Sequence, residues 1–428
     1  MLKDVSIPAI NLRGLIVASF LLAAGCSEQT EITPVADNSD NAIRFGEIKK
    51  IESEVLNEER ELWIRVPDSA NDPDVQNTAY PVLYLLDGEA NYYSVAGMIR
   101  QLSSVNGNMI SPEMIVVGIP NTDRFRDLTP THTEGTSGGG DEFLDFIEFE
   151  VIPYIESTYP ASSYRTFIGH SLGGLMVIDT LNSRPHLFDN YIAIDASLWW
   201  DDRVVLRESE TALAEQDFSG KSLFVSIANT MPPGLTVEEV VNDEEESTDH
   251  IRALLRYAQI AEQSQASGLN FDWRYYDDNS HGSVALITEY DALRFLFDWY
   301  EPKQINHFFM PDATSSVEDV LDYVTNHFDQ VSDRFGYTVP PPQAWVNMLG
   351  RSMTAWDRPD GTLAMYSLNV ENYPNSRAAH YWLGDYYASQ DDIENAKLHF
   401  SQAMAIGDAP QSAARLAELE EMETAGEN

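Results

Sequence analysis

The stretch Phe167-Ile168-Gly169-His170-Ser171-Leu172-Gly173-Gly174 holds the residues best placed to do chemistry. Ser171 stands between Gly169 and Gly173 at G-x-S-x-G spacing, a β-rich run leads into it, and the apolar residues 175–178 continue as a helix. Such a chain turns sharply from strand to helix at the serine and presents its hydroxyl in strained geometry. A side chain at 169 or 173 would collide with that turn, so glycine is required there. The amino end of the following helix adds unpaired N–H groups and partial positive charge where an oxyanion would develop. The chemistry these features fit is acyl transfer through a covalent serine intermediate. A glycine-rich turn of no function shares the five-letter pattern, but it does not require a strand before it and a helix after it.

A serine hydroxyl is a weak nucleophile near neutral pH and needs a base, which in such sheets follows in the order nucleophile, acid, histidine. His281 lies in Asp277-Asp278-Asn279-Ser280-His281-Gly282-Ser283, directly after the strand-like run 271–276, and is the expected base. His170 adjoins the serine but points away from the turn and reads as a supporting residue, while His186 and His250 fall on helix-like segments. The acid stays open. The insertion 237–249 carries seven carboxylates, and Asp249, which starts a helix behind Thr248, leads narrowly, with Glu238 and Asp195 behind it. A Ser–His dyad is a further alternative, because the carboxylate chiefly orients the imidazole and stabilises its cation. The oxyanion donors are expected at the Leu172 amide and in the loop after the strand 81–86, at Gly88 and Glu89. Trp199 and Trp200 read equally as pocket residues that stack on a flat acyl group and as core aromatics. The glycines 138–140 have no lysine after them and read as a flexible rim.

These residues need a scaffold. β-rich runs recur at 62–66, 81–86, 114–119, 165–168, 191–194, 223–227 and 271–276, with helix-like stretches between them. From Asp141, the residues Phe143, Leu144, Ile147, Val151, Ile152 and Ile155 repeat at helical spacing, with a bend expected at Pro153 and a stop at Pro160. Strands alternating with helices predict an α/β fold, a mostly parallel sheet covered on both faces whose chemistry sits at the carboxyl ends of its strands.

The charge narrows the partners. The chain has 26 Lys+Arg against 69 Asp+Glu, a formal net charge of −43, which repels the phosphates of nucleic acid. The start of the chain has Lys3 and Arg13, an apolar run at 15–24 too short to span a bilayer, and Ala23-Ala24-Gly25 before Cys26. It resembles a bacterial lipoprotein signal. That likeness implies a signal over 1–25, lipid on Cys26, the single cysteine, and a flexible tether over 26–42, with an ordinary secretory signal as the alternative. Ser27 in place of an aspartate implies the outer membrane, facing the periplasm.

Beyond a body at 43–303 and a helical linker at 304–338, residues 339–424 repeat with a period of 34: Leu349-Gly350 returns as Leu383-Gly384, and Tyr366 as Phe400. Tyr387, Ala396, Phe400 and Ala403 are similar to the tetratricopeptide pattern, with Pro374 at the turn that closes the first repeat. Two repeats are too few to stand alone, so they are expected to dock on the body or pair between chains, and their concave face could take a protein partner.

With these motifs in place, the body resembles the putative esterase family of α/β hydrolases, and within it the siderophore-esterase branch. The likeness is carried by Tyr84-Leu85-Leu86-Asp87-Gly88, by Arg126-Asp127-Leu128-Thr129-Pro130, by the helix 143–154 and by Ser197-Leu198-Trp199-Trp200. It implies an α/β-hydrolase fold for the body, which the helical repeats follow as a small all-α domain, and hydrolysis of a small-molecule carboxylic ester through an acyl-enzyme, with no metal or organic cofactor. An acyltransferase using the same site, or a binding scaffold in the envelope, are the alternatives. Asp195-Ala196-Ser197 departs from the S-P-S of that branch and brings Asp195 near the site. The acidic insertion would repel the anionic iron complexes that such enzymes bind.

Overall fold

A computed structural model describes residues 44–75, 78–303 and 314–426. The expected signal and tether, Cys26 and the first part of the expected linker lie outside the described residues. Eight strands, β1 (Glu47–Ser53), β2 (Glu58–Arg65), β3 (Tyr80–Leu86), β4 (Ile115–Ile119), β5 (Ala161–His170), β6 (Asn190–Ile194), β7 (Ser222–Ala228) and β8 (Asn270–Tyr276), form one sheet. Their order is β1-β2-β4-β3-β5-β6-β7-β8. From β4 to β8 every neighbour is parallel, and β1 and β2 join antiparallel at one edge. Each expected strand is present, and β1 is added. It reads Glu-Ile-Lys-Lys-Ile-Glu-Ser, too polar to signal a strand, and its charges suit an edge that must not pair with a second chain.

The central strands β3, β4 and β6 are buried along their whole length, as a sheet covered on both faces requires. Val82, Tyr84 and Leu86 pack into one layer, with the helices Gly140–Phe146, Leu172–Ser183, Trp200–Glu215 and Asp249–Gln263. Leu83 and Leu85 point into the other, with the helices Gly88–Ser103 and Ala285–Leu296. The helix expected from Asp141 begins at Gly140, widens into a π turn over Ile147–Val151 and resumes over Ile152–Thr158. The widening meets Pro153, whose ring and missing N–H disrupt an ordinary α-helical turn, and the helix ends before Pro160.

The R-D-L-T-P segment is a structural clamp. Arg60 of β2 and Asp127 are both 1% exposed and meet at 2.7 Å, Arg126 Nε donates to the other Asp127 oxygen at 2.6 Å, and the Arg60 guanidinium lies over Phe143 and Phe146. The glycine run, expected as a flexible rim, packs against this clamp. A Cβ on Gly138 would lie 2.6 Å from the His132 amide nitrogen and one on Gly140 would lie 2.9 Å from the Thr129 carbonyl oxygen, so these glycines serve close packing.

Beyond the helix Val317–Phe335, the chain forms two helical hairpins, Gln343–Ala355 with Pro359–Asn372 and Arg377–Ser389 with Ile393–Ile406, then the helix Pro410–Gly426. Gly350 faces Tyr366, where a Cβ would come within 2.5 Å of the ring, and Gly384 faces Phe400 in the same way at 2.9 Å. The sequence repeat therefore marks two similar hairpins. The first one docks: Trp345, Val346, Leu349, Met353 and Met365 share a buried cluster with Leu83, Val116 and Phe297. Phe335 meets Tyr164 of β5 at 4.8 Å, and Arg377 Nε holds Asp74 at 3.0 Å. A cavity of about 370 Å³ lies in this seam, between Tyr80, Glu113 and Tyr300 on one side and Trp345 and Tyr373 on the other. Among the described residues, no helix is long and apolar enough to cross a membrane.

Removing Asp127 leaves the Arg60 guanidinium buried without its main counter-charge. Asp127→Ala is expected to lower stability by about 3–5 kcal/mol, read as a shift of the urea unfolding midpoint.

Candidate active site

At the carboxyl end of β5 the chain turns sharply, with Ser171 at φ 61° and ψ −115° immediately before the helix Leu172–Ser183. A positive φ on a serine is strained by roughly 1–3 kcal/mol and persists only where its surroundings hold it. They do so here. The Ser171 amide donates to the Ile194 carbonyl at 2.9 Å, and its carbonyl accepts from the Ser197 amide at 3.0 Å, so the turn is stitched to the end of β6. A Cβ on Gly169 would lie 2.4 Å from both C and O of Gly173, a backbone contact that nothing can relieve. Ser171 Oγ lies 3.2 Å from Ser197 Oγ.

His281 follows β8, as its position in the sequence implies, and its Nδ1 donates to Asp195 Oδ2 at 2.5 Å. Asp195 directly follows β6 at φ 43°, and its side chain is fully buried. Its Oδ1 accepts from the Ala228 amide at 2.8 Å, and its Oδ2 also accepts from His250 Nε2 at 3.1 Å. Burial works to raise its pKa, but the hydrogen bonds from His250, His281 and Ala228 outweigh that and hold the carboxyl below the usual carboxylate range. The ligand-type atoms of Asp195, His250 and His281 lie within 4.8 Å of one another, a closeness that their hydrogen bonds account for.

The carboxylate on His281 is not the one that leads from the sequence. The Asp249 carboxylate turns to Arg203 and Arg252, and Glu238 sits exposed on the short helix Val237–Val240. Asp195, placed third from sequence, is the carboxylate that meets His281. Its one signal was the departure from S-P-S at the end of a strand. His250, on a helix-like segment of the sequence, is the second residue of the helix Asp249–Gln263, where a side chain can still reach the ends of the strands. His170 Nε2 donates to the His281 carbonyl at 2.8 Å, and burial, helped by the neighbouring His281, lowers its pKa. It braces the loop that carries His281.

On the other side of Ser171, the helix Gly88–Ser103 starts after Asp87, which is left-handed at φ 53°. A Cβ on Gly173 would lie 3.2 Å from Asp87 Oδ2 and 3.4 Å from Leu86 Cβ, so the starts of the two helices lie side by side. Leu172, Gly88 and Glu89 thus sit in first helical turns, where amides have no intrahelical acceptor. Gly88 is forced by packing, since a Cβ there would lie 2.7 Å from the Ile119 nitrogen. The Asp87 carboxylate takes Arg124 Nε at 2.6 Å and Asn121 Nδ2 at 2.8 Å, and Arg124 also reaches the His170 carbonyl at 3.1 Å. The tryptophans divide. Trp200 is 4% exposed, donates through Nε1 to Thr131 Oγ1 at 3.1 Å and stands edge-on to Phe125, so it belongs to the core rather than to a pocket. Trp199 is 42% exposed.

Comparison with known proteins agrees with this architecture. The family model described as Putative esterase matches residues 53–280. The crystal structure of an IroE-like serine hydrolase from Shewanella oneidensis superposes with a TM-score of 0.63 at 33% identity, covering 76% of this chain and 99% of that one. The siderophore enterobactin esterase of Emericella nidulans is 34% identical over 175 residues, 36% of this chain and 56% of its own length. The chain therefore spans little more than half of that relative. The ferri-bacillibactin esterase BesA of Bacillus subtilis is 28% identical over 279 residues, 58% of this chain and 88% of its own length. The family match covers more than half of the chain, and with the Shewanella structure it places the protein: it belongs to the putative esterase family of hydrolases.

Proposed function

We propose that the protein is a serine carboxylesterase in which Ser171, His281 and Asp195 act as nucleophile, base and acid. The observation that carries this reading is the buried Asp195 carboxylate on His281 Nδ1, which leaves Nε2 as the ring atom for proton transfer. Ser171 Oγ attacks the ester carbonyl carbon while His281 Nε2 takes its proton. The Leu172 amide and an amide at Gly88 or Glu89 stabilise the oxyanion. As the C–O bond to the alcohol breaks, His281 returns the proton to the departing oxygen. Water then attacks the acyl-enzyme, His281 takes its proton and passes it to Ser171, and the carboxylic acid leaves. Asp195, kept ionised by its donors, orients the imidazole and offsets its charge when it is a cation.

The substrate is a small-molecule ester of low negative charge. The relatives are named for siderophores, but the net charge of −43 and the seven carboxylates of 237–249 oppose a strongly anionic iron complex. Exposed Trp199, two residues beyond Ser197, is the aromatic surface available to an acyl group. Residues 1–25 act as a lipoprotein signal, Cys26 carries the lipid, and the enzyme works at the outer membrane facing the periplasm. The two hairpins are tetratricopeptide-like repeats that offer a protein-binding face.

Hydrolysis of a p-nitrophenyl ester series by the purified protein tests the chemistry. Ser171→Ala, His281→Ala and Asp195→Asn are each expected to lose roughly a thousandfold or more in kcat, whereas Asp249→Asn, whose carboxylate faces Arg203 and Arg252, loses far less. A folded wild type that is inert on every chain length, or variants that keep its rate, would sink the proposal. Cell fractionation tests the anchor. Cys26→Ala should move the protein out of the membrane fraction and abolish labelling by a fatty-acid probe, and an unchanged distribution argues against lipidation.

A further inference from the structure

The acid of this site is held by one histidine more than the mechanism uses. Asp195 leaves β6 with a positive φ, and one backbone donor, the Ala228 amide, holds its Oδ1. Its Oδ2 takes both imidazoles, His281 Nδ1 at 2.5 Å and His250 Nε2 at 3.1 Å, with the two rings edge to face at 89° and 5.3 Å apart. Because the carboxylate accepts, His250 must carry its proton on Nε2.

We infer that His250 is a positioning residue, which fixes the Asp195 carboxylate so that Oδ2 stays on His281 Nδ1 throughout the reaction. A carboxylate held at one oxygen by one amide can still turn about its χ2 bond, and His281 would turn with it. A second imidazole on Oδ2 blocks that rotation. It also lowers the affinity of the carboxylate for a proton, so that the negative charge is present when His281 becomes cationic. This inference deepens the esterase reading and rests on it.

The surroundings of His250 fit the role. Thr248 is fully buried and donates to Asp243 Oδ2 at 2.6 Å, while Arg252 Nε donates to Thr248 Oγ1 at 3.1 Å. Asp249 is paired with Arg203. Arg203 ends a run of three left-handed residues, Asp201, Asp202 and Arg203, at φ 45°, 51° and 62°. None is glycine, and each costs roughly 1–2 kcal/mol in that conformation. Such a run persists where contacts hold it, and the Arg203–Asp249 pair is one of them. Asp243 and Asp249 of the acidic insertion therefore brace the first turn of the helix that brings His250 to the acid, rather than serving as the acid themselves.

The test uses the full chain with His250→Ala and His250→Gln, alone and combined with Asp195→Asn. His250→Ala should lower kcat by roughly ten- to hundredfold, the range for residues that orient a primary group, and leave KM within about twofold. His250→Gln, whose amide can donate to Oδ2, should recover most of that loss. In the Asp195→Asn background, His250→Ala should cost nothing further. A readout independent of turnover is the low-field proton resonance of His281 Nδ1–H. It should move upfield in His250→Ala and stay in place in His250→Gln, with thermal melts showing both variants folded. Equal losses in the alanine and glutamine variants, or a resonance and kcat in His250→Ala that match wild type, overturn the inference. If the resonance responds as expected while the wild type hydrolyses no ester, the positioning role stands and the esterase reading is what fails.

Discussion

A carboxylate taken wholly out of water must be met by donors, or it will give up its charge. Asp195 is such a group, and the architecture around it reads as the means of meeting it. Asp195 directly follows β6, the neighbouring strand β5 supplies Ser171 just beyond its end, β7 on the other side supplies the Ala228 amide at its end, and His281 follows β8. Four adjacent parallel strands thus deliver Ser171, Asp195, the Ala228 amide and His281 at the same end of the sheet. Parallel pairing makes this possible, because all the strands end on one side and their following loops gather there. The sharp turn at Ser171 is tied to the same place by its backbone bonds to Ile194 and Ser197.

Much of this could be read in the sequence, for reasons particular to each element. The buried strands announce themselves as apolar runs because both of their faces are covered. The turn at Ser171 is legible because its glycines answer to close packing: a Cβ on Gly169 would come within 2.4 Å of the Gly173 backbone, while one on Gly173 would meet only Asp87 Oδ2 and Leu86 at 3.2 and 3.4 Å, so Gly173 is less strictly required than its spacing implies. His281 follows from its place after the last strand. The choice of acid obeys no spacing rule, since any carboxylate on a loop could reach an imidazole, and the seven in the insertion diluted the one that does. Only packing distinguishes Asp195, buried between two strands, from Asp249, which is occupied by two arginines. β1 escaped notice because an edge strand has little apolar surface to bury. Trp199 and Trp200 are adjacent and chemically identical, yet one lies in the core and the other at the surface, a difference that no local pattern records.

The molecule separates two tasks by the polarity of its strands. The carboxyl ends of β5 to β8 hold the polar cluster, whereas the helical segment joins the buried layer under the opposite face and reaches the amino end of β3 through Tyr80 and the Asp74–Arg377 pair. The first hairpin is continuous with the apolar interior of the body, while the second has a small cluster of its own around Phe400.

That gradation gives the two hairpins the same closure in different surroundings. Each closes by a glycine against an aromatic ring, Gly350 with Tyr366 and Gly384 with Phe400, so the two helices of each pair approach as closely as the missing Cβ allows. In a stack of this kind each unit touches chiefly its neighbours, so a change in the outer hairpin leaves the inner joint intact. Such a change therefore alters the reach of the segment while the polar cluster at the carboxyl ends of β5 to β8 keeps its position.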